Sequence, residues 1–163
     1  MLKKIELSYG LGPLCFGMTR DQVLKMFGEA SEIEESDFDE DMNVTESWHY
    51  DHLECSFGFE ELEDFKLTTI SITGIDYFLC EETLIGKSIK QVTSLLTNIN
   101  GVFKIEVEEY VDENEVGEKE AILYVESHNL KIWFENNKAS EVQWGPCFED
   151  EHTINWPVQF KLN

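Results

Sequence analysis

Two stretches of the sequence hold side chains of the types that bind metal ions. His49-Tyr50-Asp51-His52-Leu53-Glu54-Cys55 offers imidazole, carboxylate and thiol within seven residues. Read as a strand, it sends His49, Asp51, Leu53 and Cys55 to one face and His52 and Glu54 to the other, because side chains alternate along a strand. Neither face gathers the four ligands of a structural zinc site. Asp37-Phe38-Asp39-Glu40-Asp41 begins like a calcium loop, but Met42 stands where such a loop turns on glycine and Trp48 where it needs a bidentate glutamate. Neither stretch gives a metal site, and no cofactor is expected. The sequence contains no G-x-S-x-G, no H-E-x-x-H and no Gly-rich phosphate loop. Gly10-Leu11-Gly12-Pro13 is too short for a dinucleotide fingerprint and reads as a turn after a short first strand. The 34 acids allow many glycosidase-like carboxylate pairs, and nothing singles one out. No catalytic residue is assigned, and the expectation is a protein that is not an enzyme.

What the residues do supply is charge. The chain of 163 residues has 34 acids against 12 Lys and Arg, a formal net charge of −22. That field repels a polyanion, so direct binding to nucleic acid is not expected. Residues 29–46 hold nine acids and 106–120 hold eight, the first stretch with no Lys or Arg and the second with Lys119 alone. Such blocks ordinarily stay hydrated as solvated loops. Here the charge is spread through the chain, and a surface at −22 repels itself. A basic partner would offset that cost and would be steered in quickly. The 20 aromatic residues exclude a wholly disordered chain. No apolar run approaches the roughly 18 residues of a membrane span, and the N-terminal residues lack the apolar stretch of a secretory signal. A cytoplasmic protein is expected. Cys15, Cys55, Cys80 and Cys147 follow no zinc or disulfide spacing and read as small buried hydrophobes.

The positioning elements come as a repeat. Gly17-Met18-Thr19-Arg20-Asp21-Gln22-Val23 and Gly86-Lys87-Ser88-Ile89-Lys90-Gln91-Val92 share glycine, a hydroxyl residue two places on, then Gln-Val. Thr19 with Gln22, and Ser88 with Gln91, make capping boxes. Val23, Met26 and Phe27, like Val92, Leu95 and Leu96, are spaced for one helix face. Gly28 and Gly101 mark the expected exits. Strand patterns follow each helix: Trp48 to Phe59 and Leu67 to Ile75, then Phe103-Ile105-Val107, Ala121 to Val125, Leu130-Ile132-Phe134 and Val142 to Trp144, with a hairpin turn at Glu135-Asn136-Asn137-Lys138. The expected fold class is α+β, a single domain of two similar helix-plus-three-strand halves, roughly 1–76 and 77–163. These would form one curved antiparallel sheet with helices on one face.

The opening Gly10-Leu11-Gly12-Pro13-Leu14-Cys15-Phe16-Gly17-Met18-Thr19-Arg20-Asp21-Gln22-Val23, with its echo at 86–96, resembles the helix-plus-sheet repeats of the β-lactamase inhibitor protein and of small outer-membrane assembly lipoproteins. Those relatives are exported, whereas this sequence shows neither a signal nor a lipoprotein cysteine. A small acidic protein with this opening also resembles the immunity proteins of bacterial toxin systems, such as contact-dependent growth inhibition. That resemblance implies a partner: a cognate toxin domain with a basic surface, often a nuclease, bound and blocked.

The expected function is that of an immunity (inhibitor) protein. The contact residues would be Asp37, Asp39, Glu40, Asp41, Asp112, Glu113, Glu149 and Asp150, with Trp144 and Phe148 as aromatic anchors. A DNA-mimic regulator of a nucleic-acid-binding protein is the alternative. A small-molecule site on an aromatic sheet face comes third.

Overall fold

The computed structural model describes residues 3–37, 43–102, 104–111 and 119–158. Both capping boxes form. Gln22 N–H donates to Thr19 Oγ1 at 3.2 Å and Thr19 N–H to Gln22 Oε1 at 2.9 Å, which starts α1 (Arg20–Phe27). Ser88 and Gln91 repeat the two bonds at 3.2 and 2.9 Å ahead of α2 (Ile89–Thr97). Gly28 ends α1 at φ 77, in the left-handed region that favours glycine. α2 ends earlier than expected, on Asn98 and not at Gly101.

Three short strands, β1 (Ile5–Glu6), β2 (Gly10–Leu11) and β3 (Leu14–Cys15), pair ahead of α1. After it come β4 (Glu32–Asp37), β5 (Val44–Tyr50), β6 (Cys55–Glu60) and β7 (Lys66–Ile72). A hairpin of β8 (Phe78–Leu79) and β9 (Glu82–Thr83) precedes α2. Then come β10 (Ile105–Val111), β11 (Lys119–Val125), β12 (Leu130–Glu135) and β13 (Lys138–Trp144). A last hairpin pairs β14 (Cys147–Phe148) with β15 (Ile154–Asn155). The large sheet is antiparallel throughout, in the order β10-β11-β12-β13-β7-β6-β5-β4. It is closed at its centre by Val142, Gln143 and Trp144 of β13 opposite Ile72, Ser71 and Ile70 of β7.

The expected α+β fold of two helix-plus-three-strand halves is therefore corrected. The chain is mostly β: an eight-stranded sheet, short strands around it and, among the described residues, only two α-helices, of 8 and 9 residues. Two features hid the strands. Glu32–Asp37, within the stretch that read as a solvated acidic loop, is an edge strand paired only with β5. An edge needs no apolar face, and charge there discourages pairing with other chains. The run Trp48 to Phe59 is two strands, broken by a 3-10 turn at Asp51–Leu53 with Glu54 left-handed at φ 51. The second half follows the pattern more closely. Asn136 and Asn137, at φ 48 and 60, make the two-residue turn between β12 and β13.

Inward side chains align in rows across the sheet. Trp48, Phe57, Ile70, Trp144, Leu130 and Val125 form one row, and Tyr50, Cys55, Ile72, Val142, Ile132 and Leu123 the next. All are buried, each worth about 1.5–3 kcal/mol for its large apolar members. Val23 from α1 and Val92 and Leu96 from α2 join the same core. The residues leading into each helix are tied to the sheet by paired backbone bonds: Gly17 and Met18 to Leu67, Gly86 and Lys87 to Ala139. Arg20 of α1 also reaches Glu46 of β5 at 3.0 Å, and Trp48 Nε1 donates to the same carboxylate. All four cysteines are free. Cys15 and Cys55 are buried as expected, whereas Cys147 is half-buried and Cys80 exposed. Among the described residues no helix is long and apolar enough to cross a membrane.

Candidate functional site

The strand alternation that sends one set of residues into the core sends the other set to the face turned away from the helices. On β5 these are Thr45, Ser47 and His49, opposite Glu60, Gly58 and Ser56 of β6. Lys66, Thr69 and Ser71 of β7 continue the rows, and Gln143 of β13 stands opposite Ser71. None of the residues at the middle of this region is larger than threonine. Gly58 has no side chain, and a Cβ there would lie 3.0 Å from Thr69 Cβ. The result is a trough made of three overlapping depressions. The central one is about 500 Å³ and is lined by Ser47, Ser56, Gly58, Thr69, Ser71, Gln143, Glu60 and Glu141. The second, about 340 Å³, extends it past Ser71 and Glu141 toward Thr73. The third, about 280 Å³, extends it past Glu60 and Gln143 to Phe148 and Ile154 of the last hairpin.

The electrostatics of the trough are one-sided. Ser71 Oγ donates to Glu141 Oε1 and holds that carboxylate in place. Burial pushes the Glu60 carboxyl above the usual carboxylate range, and the nearby Glu63 adds to it. Two lysines beside the trough lie near aromatic rings, Lys131 also bordering the third depression. Lys66 Nζ lies 5.4 Å from the Trp156 ring centre and Lys131 Nζ 5.9 Å from that of Tyr124. His49 pairs with Glu34 of β4 at 3.0 Å. Beyond the trough, both outer strands are acidic. β4 carries Glu32, Glu34, Glu35 and Asp37, β10 carries Glu106, Glu108 and Glu109, and neither has a Lys or Arg.

The residues chosen from the sequence are scattered over this frame. Asp39, Glu40, Asp41, Asp112 and Glu113 lie outside the described residues, as does Phe103. Asp37 is exposed at the end of β4, four strands from β13, which is about 19 Å at the usual strand spacing. Trp144 is a core residue, 1% exposed, and its indole N–H donates to Gly10 O at 3.2 Å. It is not placed to anchor a partner, because a strand that alternates around a two-sided sheet must bury one of its two sets. Phe148 is 53% exposed on β14, and Glu149 and Asp150 follow it in the turn of the hairpin. Asp150 Oδ1 accepts the N–H groups of His152 and Thr153, both at 2.9 Å, and these bonds hold its carboxyl below the usual range. Of the chosen residues, Phe148 and Trp144 both border the third depression, and of these two only Phe148 is exposed.

Glu60, Glu141 and the hydroxyl floor were missed. Their signal was present as the polar positions alternating with apolar ones in Ser56-Phe57, Thr69-Ile70-Ser71 and Glu141-Val142-Gln143. The His49 to Cys55 stretch is divided by its 3-10 turn, and His52 packs its ring beside Tyr50. Among the described residues no three His, Cys, Asp or Glu side chains gather as a metal site requires. A larger depression, about 890 Å³, lies between the start of α2 and β10–β11, but its lining mixes Lys90 and Lys119 with Glu109 and Glu120.

No protein-family model and no curated protein matches the sequence. Among solved structures, the chain is similar to an extracellular protein containing a SCP domain from Bacillus anthracis str. Ames, at 15% identity over 80% of this chain with a TM-score of 0.44. It spans 43% of the length of that protein. It is also similar to a protein assigned as a β-lactamase inhibitor protein from Streptococcus mutans, at 13% identity. That match covers 77% of this chain and 82% of the other, with a TM-score of 0.31.

Proposed function

We propose that this protein is a cytoplasmic inhibitor of the immunity type, which binds a cognate basic toxin domain and neutralises it. A nuclease is the favoured toxin class, since an enzyme that holds a polyanion presents a basic surface. The observation that carries the reading is the placement of charge. Seven acids and no Lys or Arg occupy the two outer strands, on either side of an outward sheet face that is polar across β5, β6 and β7. Such an arrangement steers a basic partner toward the sheet and raises its association rate at low salt.

The test is capture of a partner from the source cells, coupled to co-expression with the polypeptide encoded immediately upstream. Recovery of a toxin domain together with rescue of growth is the expected result. Charge reversal at Glu32, Glu34, Glu106 and Glu108 should then slow association at least about tenfold and flatten its salt dependence. An association rate unchanged by those four reversals would sink the electrostatic account. Capture of several unrelated DNA-binding proteins, displaced by DNA, would replace this reading with a DNA mimic.

A further inference from the structure

The trough on the outward face is long compared with any one side chain. Glu60 closes one end of β6 and Ser56 lies four residues back, about 13 Å along the strand. Ser56 is opposite Ser71, and Ser71 holds Glu141. A carboxylate thus stands toward each end, with Gly58 and Thr69 between. Both acids are half-buried, and among the described residues neither has an ion-pair partner. Among the described residues Glu60 makes no side-chain hydrogen bond either. Of the nearby lysines, Lys66 lies over the Trp156 ring, and Lys131, on the lining of the depression at the Glu60 end, lies 5.9 Å from the Tyr124 ring centre.

Resting on the inhibitor reading for its source, we propose that the trough receives a basic segment of the protein partner, seating one cationic side chain at Glu60 and a second at Glu141. The complementary group is one rich in donors. The floor offers hydroxyl oxygens and the two carboxylates stand toward the ends, so acceptors outnumber donors, with Lys131 the ammonium on the lining at the Glu60 end. A guanidinium brings five N–H donors and sheds water more readily than an ammonium. A bare metal ion does not fit, because the two carboxylates are far apart and no third ligand converges on either. The partly desolvated Glu60 is strained by its burial in the free protein, and an arriving cation relieves that strain.

The test uses the full chain and two peptides, acetyl-Arg-Gly-Gly-Arg-amide and its neutral citrulline counterpart, followed by amide shifts in ¹H–¹⁵N spectra. The arginine peptide should give saturable shifts at Ser56, Thr69, Ser71 and Gln143, and the citrulline peptide none. E60Q and E141Q should each weaken binding about three- to tenfold, and the double variant by the product, because the two seats are separate. E29Q/E81Q, two exposed acids off the trough and off both outer strands, should leave it unchanged, and conserved spectra show that each variant is folded. Shifts confined to β4 and β10, or binding indifferent to both E60Q and E141Q, would overturn the proposal. The peptide experiment needs no toxin. Peptide binding with no captured partner would fail the inhibitor reading alone, and a captured toxin with no peptide binding would fail the trough alone.

Discussion

Gly58 and Trp133 occupy matching places in the sheet. Each lies three residues into its strand, after a 3-10 turn and a left-handed residue, and just before a shift in register: Gly58/Phe59 in β6 and Trp133/Phe134 in β12. One place holds the smallest residue and the other the largest. Around Gly58 the outward face carries Ser47, Ser56, Thr69 and Ser71, and it sinks into the trough. Around Trp133 it carries the larger Ile122, Tyr124 and Tyr110, and a depression lies beside Tyr110 where α2 begins. The inward rows beneath both regions are largely apolar, with Glu46 of β5 buried among them and bonded by Arg20 and Trp48. Backbone geometry is therefore not what makes the trough. Outward side-chain volume is, and that volume is free to vary because the core does not depend on it.

The comparison can be broken from below. Trp144 stands in β13, next to the seam where the two regions join, and its removal should cost about 3–5 kcal/mol, read by urea denaturation of W144A. A loss under about 1 kcal/mol would mean that the regions do not share a core. Gly58→Val sharpens the contrast by making one place more like the other. Its Cβ meets Thr69 Cβ at 3.0 Å, so a cost of about 1–3 kcal/mol is expected, together with loss of arginine-peptide binding. The helices give a smaller and symmetric effect. Thr19→Ala and Ser88→Ala each remove a cap with the same bond lengths and should each cost about 1 kcal/mol. A difference of more than about twofold between them would show that the two helices are not equivalent supports. The smallest effect has the opposite sign. Burial raises the Glu60 carboxyl in the folded chain, so its ionisation opposes folding and stability falls as pH rises through the carboxylate range. Glu60→Gln should raise Tm slightly at neutral pH and have no effect near pH 3, by thermal melts at both.

Legibility followed the range of the interactions involved. Thr19-to-Gln22 and Ser88-to-Gln91 are three residues apart, and Asn136-Asn137 sets its own φ angles, so these elements could be read directly. The inward positions of β7, β11, β12 and β13 followed from period-two alternation. Glu32–Asp37 could not be read, because an exposed edge strand has no apolar alternation to distinguish it from a loop. Trp144 was misjudged for a related reason: composition reveals an aromatic residue, but only register reveals which face it takes.

The amino-acid sequence by itself determined the −22 charge, both capping boxes, the Asn-Asn turn and most of the apolar rows, all of which depend on residue type or on neighbours within a turn. Tertiary structure alone decided that β13 pairs with β7 and that an acidic stretch becomes an outer strand. It alone brought Ser71 to Glu141, 70 residues away, to complete a trough. Those outcomes depend on strand pairing between distant segments, which is selected by the fit of the whole core and leaves no mark in any short window of the chain.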